Sequence, residues 1–232
     1  MCISLSGRKW AWQITASFLE NQTFPHDLLH VVVLDTSQDE TFTEKTRDWF
    51  ARSTYKHVTY LTDDVGQKGL ADLPRNLVRQ EVSDACVKIY NRFREYALTP
   101  IVFFLEDDIL PPFDACRHLI SHFEQDVVSV ASVCKHRSEI EGKHPYIIWD
   151  WTADGTPVFV ETQQGVTAVG GNGFCCTAVK GEYLRSVEFR NGPGSRCFDH
   201  NFYDKAVRQD GLRALVDWDC PSRHFLNEYT WA

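Results

Sequence analysis

The stretch that decides the fold is PIVFFLEDDILPP at residues 100–112. Its five consecutive apolar residues, 101–105, most of them β-branched or aromatic, predict a short strand buried on both faces, as strands inside a parallel sheet are. This strand runs without a turn into three carboxylates, Glu106, Asp107 and Asp108, and the two prolines that follow end the extended segment. The chain must therefore stabilise three like charges at the end of a buried strand, because such charges repel one another.

Two interpretations of this acidic end are open. In an open α/β sheet, ligands bind at the carboxyl ends of the strands, and carboxylate oxygens are ligands that Mg²⁺ and Mn²⁺ prefer. A divalent metal that holds a phosphorylated ligand would account for both the position and the charge. A solvated acidic turn would also account for the triplet, so the remainder of the chain has to decide.

The composition is that of an ordinary globular protein. The 232 residues, of which 43% are hydrophobic and 24% charged, fit one large domain with a sizeable core. The net charge of −8 argues against a general nucleic-acid binder but permits a local basic groove. No apolar run approaches a membrane span and the N-terminus has no signal-peptide pattern, so we expect a cytoplasmic protein without a membrane partner. The eight cysteines form no CxxC pair, which favours buried free thiols over zinc or disulfides.

The first half of the chain alternates strands and helices. Strands are predicted at residues 2–6, 28–34, 57–61 and 101–105, and helices at residues 10–21, 41–53 and 74–96. This order predicts a parallel sheet with right-handed crossovers and with helices on both faces. Three successive strands end in acidic residues: Asp35, then Asp63 and Asp64, then the 106–108 triplet.

Such a sheet is typical of nucleotide-binding domains, but the motifs of two common classes of these domains are absent. The dinucleotide-binding fingerprint GxGxxG is absent after the first strand, and so is the phosphate-binding loop GxxxxGK[ST]. Both an NAD enzyme and a P-loop ATPase are therefore disfavoured. The charge of a bound phosphate must then be met by a metal ion and by arginine or lysine.

Several segments together carry a resemblance to a known fold family. They are LSGR at 5–8, NQTFP at 21–25, VLDTS at 33–37, RN at 75–76 and FLEDD at 104–108. In this order the sequence resembles a GT-A fold glycosyltransferase, closest to glycosyltransferase family 2. The resemblance implies an α/β fold with a mostly parallel central sheet flanked by helices. It also implies a single GT-A domain over residues 1–232, with 1–112 as the nucleotide-sugar-binding half and 113–232 as the acceptor-binding and catalytic half.

The resemblance further implies a donor site and a metal site. Asp35 would read the nucleotide base, and Arg75 would approach the pyrophosphate. The 106–108 triplet would be the DxD-type motif, in which Asp108 touches the metal and Asp107 contacts the ribose or a metal-bound water. Glu106 stands where Asp is commoner in that motif. The donor-binding residues would be Ser6, Gly7, Arg8, Asp35, Asp64, Arg75, Asp107 and Gly171. The metal ligands would be Asp108, His224 and Glu106, with Mn²⁺ or Mg²⁺ as the cofactor.

The second half of the chain offers candidate acceptor residues. A hairpin predicted from residues 146–151 and 157–161 places Trp149 and Trp151 on one face. Core packing and a stacking platform for an acceptor are both open interpretations of this pair. The glycine-rich segment 169–174 precedes a predicted strand and could simply form a turn. In the resembling family such a segment brings backbone close to the ligands, which implies acceptor contacts at Asn172 and Gly173.

Asp199 is the candidate catalytic base. It stands at the start of a helix predicted to end near residue 210, where Asp is a favoured N-cap. The resemblance puts the general base at the same place, and amides at a helix N-terminus keep a carboxylate ionised. We favour the base over a purely structural cap.

The resulting hypothesis is a metal-dependent glycosyltransferase, inverting by resemblance, with a UDP-sugar as the favoured donor. The acceptor hydroxyl would belong to a soluble molecule: a small molecule, a glycan, a protein side chain, or a hydroxylated base in modified DNA. Basic and aromatic residues at 8–10 and 135–137 favour the DNA base as acceptor, whereas the negative net charge of the chain disfavours it. The alternatives are a metal-dependent nucleotidyltransferase and a non-catalytic nucleotide-sugar-binding module.

Overall fold

A computed structural model describes residues 1–65, 75–137, 145–192, 197–227 and 229–232, with backbone alone for residues 75–79. Its strands are β1 Cys2–Leu5, β2 His30–Asp35, β3 His57–Thr62, β4 Ile101–Glu106, β5 Ile109–Leu110, β6 Val127–Val133, β7 Ile148–Trp151, β8 Pro157–Phe159, β9 Val166–Val169, β10 Gly171–Asn172, β11 Cys176–Lys180, β12 Arg213–Pro221 and β13 Arg223–His224. Its helices are α1 Lys9–Asn21, α2 Glu40–Arg52, α3 Arg75–Arg94, α4 Ala115–Ser121, α5 Gly181–Ser186 and α6 Phe198–Tyr203, with a 3-10 turn at His26–Leu28 and a π-helical turn at Asp204–Gln209.

Within the described ranges, the central sheet has eight strands in the order β3-β2-β1-β4-β11-β6-β12-β9. The first four strands pair in parallel, as does β6 with β12, whereas β11 is antiparallel to both of its neighbours and β9 is antiparallel to β12. The predicted mostly parallel α/β sheet is therefore confirmed. The chain leaves β1 towards β2 on one side, and β4 then pairs with β1 on the other side. This change of direction opens a crevice at the carboxyl ends of β1 and β4, which is where such sheets bind ligands.

Helices cover both faces of the sheet, and each face has its own apolar layer. One layer lies under α1, α2 and α4 and includes Trp12, Phe18, Phe42 and Leu119. The other lies under α3, α5 and α6 and includes Tyr90, Phe93, Phe174, Leu184 and Phe202. The helices form where apolar residues recur at helical spacing, and Asp39 caps α2 by accepting a hydrogen bond from the Phe42 amide at 3.1 Å.

Three details differ from the expectations. β4 is not flanked by parallel strands on both sides, because β11 pairs with it in the antiparallel direction. The chain forms the short strand β5 before the two prolines, and β5 pairs with β13. The helix predicted to run to residue 210 changes to a π-helical turn after Tyr203. Among the described residues, no helix has the length and apolar character needed to cross a membrane.

Candidate active site

A two-stranded ribbon brings His224 to the acidic end of β4. In the antiparallel pair β5–β13, His224 lies opposite Ile109, and the Phe225 amide donates to the Asp108 carbonyl at 2.9 Å. The ribbon forms because the short segment after the acidic triplet is extended and meets another extended segment near the C-terminus. The backbone alone therefore positions His224 beside Asp108.

Glu106, Asp108 and His224 form a cluster suited to a divalent metal. Each offers one ligand atom, and these atoms lie within 4.8 Å of one another. Oδ1 of Asp108 and Nε2 of His224 are buried and have no hydrogen-bond partner among the described residues. Buried polar atoms are rarely left unpaired, so two such atoms in one cluster fit a bound cation. The predicted ligand set is thus brought together, and its two oxygens and one nitrogen suit Mn²⁺ or Mg²⁺.

A hydrogen bond behind His224 orients its ring. Nδ1 of His224 donates to the carbonyl of Lys135 at 2.8 Å, so Nε2 points towards the acids. Metal-binding histidines use this arrangement, in which the second ring nitrogen is held by a carbonyl or a carboxylate. Nε2 lies 3.5 Å from Oδ2 of Asp108, which is an ion-pair contact rather than a hydrogen bond.

Two arginines share the other oxygen of Asp108. Nη1 of Arg8 lies 2.6 Å and Nη1 of Arg137 lies 3.0 Å from Oδ2 of Asp108. The second terminal nitrogen of Arg8 pairs with Oδ1 of Asp107. Oδ2 of Asp107 accepts from the amide and the hydroxyl of Ser6, at 2.9 and 2.8 Å. Both oxygens of Asp107 are therefore bonded to the β1–α1 loop, whereas Asp108 keeps Oδ1 for a cation.

The local charges shift the proton affinities of the cluster. Burial and the neighbouring Asp108 raise the pKa of Glu106 to about 7. Burial would also raise the pKa of Asp108, but His224, Arg8 and Arg137 together lower it below its usual value. Burial would lower the pKa of His224, but Asp108 and Cys134 outweigh it and raise that pKa to about 10. The cluster thus holds protons that a metal would displace.

The loop after β1 passes close to the loop after β2, and Gly7 makes this possible. Gly7 has a φ of +80°, and a Cβ there would lie 2.7 Å from the Cβ of Ser37. Only glycine fits both the left-handed backbone and the close approach. Gly7 therefore allows the loop conformation in which Ser6 and Arg8 contact Asp107 and Asp108.

A cavity of about 480 Å³ opens at the carboxyl ends of β2 and β3. It is lined by Asp35, Gln38, Glu40, Thr43, Glu44, Arg47, Thr62, Asp63 and Asp64. Asp35 is held firmly: Oδ2 accepts from the hydroxyls of Thr43 at 2.5 Å and Tyr60 at 2.8 Å, and Oδ1 accepts from the Ser37 amide at 2.9 Å. The structure thus places Asp35 and Asp64 in one cavity. The side chain of Arg75 lies outside the described residues.

Asp199 is not the N-cap of α6, so its interpretation as a structural helix cap is wrong. Cys197 holds the cap position, and Asp199 lies in the first turn of α6, where its Oδ1 accepts from the His200 amide at 2.8 Å. The pKa of the Cys86 thiol is raised to about 12 by burial, then by the charges of Glu106 and Asp199, so both carboxylates are within electrostatic reach of one thiol.

The tryptophan pair divides between core and surface. Trp149 is only 2% exposed, and its ring centroid lies 4.4 Å from that of His200. A ring buried in this way offers no face on which an acceptor could stack, so core packing is the better of the two interpretations for Trp149. Trp151 is half-buried, and its Nε1 donates to the Gly170 carbonyl at 2.8 Å.

The glycine-rich segment serves this packing. A Cβ on Gly171 would lie 2.7 Å from the ring of Trp149 and 2.8 Å from that of Tyr203, so glycine is required by the protein's own side chains. Asn172 is 1% exposed, and its Oδ1 accepts from the hydroxyls of Thr177 and Tyr203, each at 3.1 Å. Its Nδ2 is buried without a partner among the described residues. Gly173 is half-buried.

Sequence reasoning missed several residues of the site. Arg137 was considered only as a nucleic-acid contact, yet it binds Asp108. Thr43 and Tyr60, which hold Asp35, were not singled out. No short motif marks them, because each reaches the site from a different element. Thr43 lies in the first turn of α2, eight residues after Asp35, and this short separation is the one local signal of their contact.

Comparisons with known proteins identify the fold. A scan against protein-family models finds no match, and a search of curated protein sequences finds none either. Solved structures do match. The mannosyltransferase PcManGT from Pyrobaculum calidifontis, in complex with GDP-Man and Mn²⁺, has a TM-score of 0.64 and 16% identity over 95% of this chain and 55% of that chain.

Two further structures agree. GalNAc-T7 with UDP, GalNAc and Mn²⁺ has a TM-score of 0.68 and 13% identity over 99% of this chain and 44% of that chain. Residues 1–349 of S. aureus TarS in complex with UDP-GlcNAc have a TM-score of 0.59 and 14% identity over 95% of this chain and 56% of that chain. This chain has the GT-A fold, as the resemblance implied, and it spans about half the length of these three proteins.

Proposed function

We propose that the protein is a metal-dependent glycosyltransferase that moves a sugar from a nucleotide-sugar to an acceptor hydroxyl. The observation that carries the proposal is the Glu106, Asp108 and His224 cluster, with its two unpartnered buried atoms, at the switch point of a GT-A sheet. The unpartnered Oδ1 of Asp108 and Nε2 of His224 suit a cation at the place where such sheets bind ligands, and a cation attracts the charge of a diphosphate. The same chain would act as one domain, because residues of both its halves supply the cluster.

The donor would lie along the crevice from the cavity around Asp35 to the cluster. We assign the nucleoside to that cavity, where Asp35 and Asp64 face the base and the ribose, and the diphosphate to the side of Ser6, Gly7, Arg8 and Arg75. A UDP-sugar is the favoured donor: of the matched structures, one contains UDP and another UDP-GlcNAc, although the mannosyltransferase contains GDP-Man. The order of the segments further favours glycosyltransferase family 2.

The metal would be held by Asp108 and His224, with Glu106 as the third ligand. When bound, a divalent ion supplies positive charge for the departing diphosphate. Mn²⁺ is favoured over Mg²⁺, because two of the matched structures contain it. The protein's own contribution here is to hold Asp108 and His224 rigidly: Arg8 and Arg137 fix one oxygen of Asp108, and Lys135 fixes the ring of His224.

Asp199 would act as the general base. Its carboxylate takes the proton of the acceptor hydroxyl, the hydroxyl oxygen forms a bond to the anomeric carbon, and the bond from that carbon to the diphosphate oxygen breaks. Attack from the face opposite the diphosphate inverts the anomeric carbon. Trp151, whose ring centroid lies 6.3 Å from that of His200 in α6, and Gly173, next to the buried Asn172, would contact the acceptor. The acceptor class we favour is a small water-soluble hydroxyl compound or glycan, with a hydroxylated DNA base as a further candidate.

Identification of the released product tests the reaction type. The full chain would be incubated with Mn²⁺, a set of nucleotide-sugars and a set of hydroxyl acceptors, and nucleoside diphosphate and pyrophosphate would be measured separately. A glycosyltransferase releases nucleoside diphosphate, a nucleotidyltransferase releases pyrophosphate, and a binding module releases neither. Exposed Asp48 on α2 offers a matched control, since D48N should release as much product as the parent whereas D108N should release none.

A further inference from the structure

A second cluster of metal-ligating side chains lies at a different place from the active site. His118 and His122 stand one helical turn apart at the end of α4, and Asp217 lies on β12. The Asp217 oxygen Oδ2 is 3.2 Å from Nδ1 of His118 and 3.1 Å from Nε2 of His122. The three ligand atoms lie within 4.8 Å of one another. None of these residues belongs to the Glu106, Asp108 and His224 cluster.

The two elements that carry the cluster are held rigidly. The apolar residues Ala115, Cys116 and Leu119 of α4 are buried in the core, and His118 and His122 at the end of the same helix reach Asp217 of β12. Asp217 pairs with Ser132 of β6 and with Val166 of β9. The Asp217 oxygen Oδ1 accepts from the Asp219 amide at 3.0 Å, which leaves Oδ2 for the histidines. The fold therefore brings His118, His122 and Asp217 together.

The charge of Asp217 gives a second reason to expect a cation. Its side chain is 2% exposed, and its only ionic partners among the described residues are the two imidazoles. Burying a carboxylate is costly unless a cation is paired with it. Two neutral imidazoles would supply hydrogen bonds but no charge, whereas a divalent metal would supply it.

The donor set and its exposure indicate which metal. Two imidazole nitrogens at i and i+4 of one helical turn, with one carboxylate oxygen, are ligands that suit Zn²⁺ and its neighbours in the first transition row. The side chains of His118 and His122 are 46% and 30% exposed, so an ion can enter from solvent and keep water in a further position. The active-site cluster, with two oxygens and one nitrogen, instead suits harder cations such as Mg²⁺ and Mn²⁺.

We propose that His118, His122 and Asp217 form a binding site for a Zn²⁺-class transition-metal ion that ties the end of α4 to β12. The site is independent of the proposed function, because it uses none of the residues assigned to transfer. Its occupancy stabilises the folded chain, since the unfolded chain does not bring α4 and β12 together.

The test is a titration of the metal-stripped full chain with Co²⁺, followed by displacement with Zn²⁺. Excess Mg²⁺ is present throughout, because it occupies oxygen-rich sites and competes poorly for imidazole. The visible absorption of Co²⁺ reports nitrogen and oxygen ligation, and a near-ultraviolet charge-transfer band would instead reveal binding by cysteine. We expect a bound Co²⁺ with the first signature that depends on His118 and His122, and its displacement by Zn²⁺.

Three variants assign the site. H118A and H122Q should bind Co²⁺ more weakly by about tenfold or more, because even the loss of an outer-shell partner costs 10–100-fold in affinity. The exposed His57 on the edge strand β3 provides the matched control, and H57A should titrate like the parent. Melting in EDTA checks that each variant folds. The proposal is overturned if the parent binds no Co²⁺, if binding shows only the cysteine signature, or if both H118A and H122Q titrate like the parent.

Discussion

Nε2 of His224 lies 3.5 Å from Oδ2 of Asp108, and this contact joins the end of β4 to the last strand of the chain. The two residues meet because β5 and β13 pair, and the Lys135 carbonyl turns the imidazole towards the carboxylate. Together with Glu106, these two residues form a cluster of ligand atoms that can hold one cation.

Removal of the Asp108 charge should abolish transfer. In D108N an amide replaces the carboxylate, so the cluster loses the ligand that the fold presents most directly to the metal. We expect no measurable nucleoside diphosphate release, while the far-ultraviolet circular dichroism stays that of the folded parent. D48N, an exposed acid changed in the same way, should keep parental rates. Parental turnover in D108N would contradict the assignment.

Metal affinity should rise with pH. The pKa of Glu106 is about 7 and that of His224 about 10, both raised, so each group holds a proton below its pKa that the metal must displace. Calorimetry in buffers of different ionisation enthalpy should show about two protons released near pH 6 and about one near pH 8. E106Q should release about one proton at both. Proton release that does not change with pH in the parent would show that Glu106 is not a ligand.

Asp199 should be essential for transfer but not for folding. D199N keeps an acceptor oxygen for the His200 amide, whereas it cannot take a proton from the acceptor hydroxyl. We expect parental melting, parental nucleotide-sugar affinity, and a loss of transfer on the order of 10²–10⁴. Asp210, an acid close to the same segment, gives a control in D210N, which should transfer normally. Near-parental rates in D199N would remove Asp199 from the mechanism.

Gly171 should matter for stability more than for donor binding. A Cβ there would meet the rings of Trp149 and Tyr203 at 2.7 and 2.8 Å, so G171A forces buried aromatic rings to move. Overpacking of this kind costs about 1–3 kcal/mol, which thermal melting resolves. Parental melting together with lost nucleotide-sugar affinity would reverse this account, because it would show that the glycine is needed for the ligand.

Much of the fold could be predicted from local patterns. The strand predicted at residues 101–105 is observed as β4, Ile101–Glu106, because a short run of bulky apolar residues followed by charged ones indicates a buried strand and where it ends. Local patterns do not predict which strand pairs with which. Nothing near β4 indicates that β11 would pair with it antiparallel, because strand pairing depends on which distant segments meet across the sheet.

The candidate site shows the same division. The acids after β4 could be recognised because they are consecutive, and the GT-A resemblance added His224. Arg137 could not be assigned to Asp108 from sequence, because the contact depends on where the segment after β6 lies. The metal-binding potential of His118 and His122 was missed for a similar reason: the third ligand, Asp217, comes from a distant strand.

The central claim is that the cluster of Glu106, Asp108 and His224 holds a metal through which the protein binds a nucleotide-sugar. The most direct test is a calorimetric titration of UDP-sugars and GDP-sugars into the full chain, once with Mn²⁺ and once with EDTA. We predict that at least one donor binds with Mn²⁺ and loses affinity by about tenfold or more in EDTA and in D108N, which corresponds to about 1.4 kcal/mol. The same affinity with Mn²⁺, with EDTA and in D108N, or no binding of any donor, would contradict the claim.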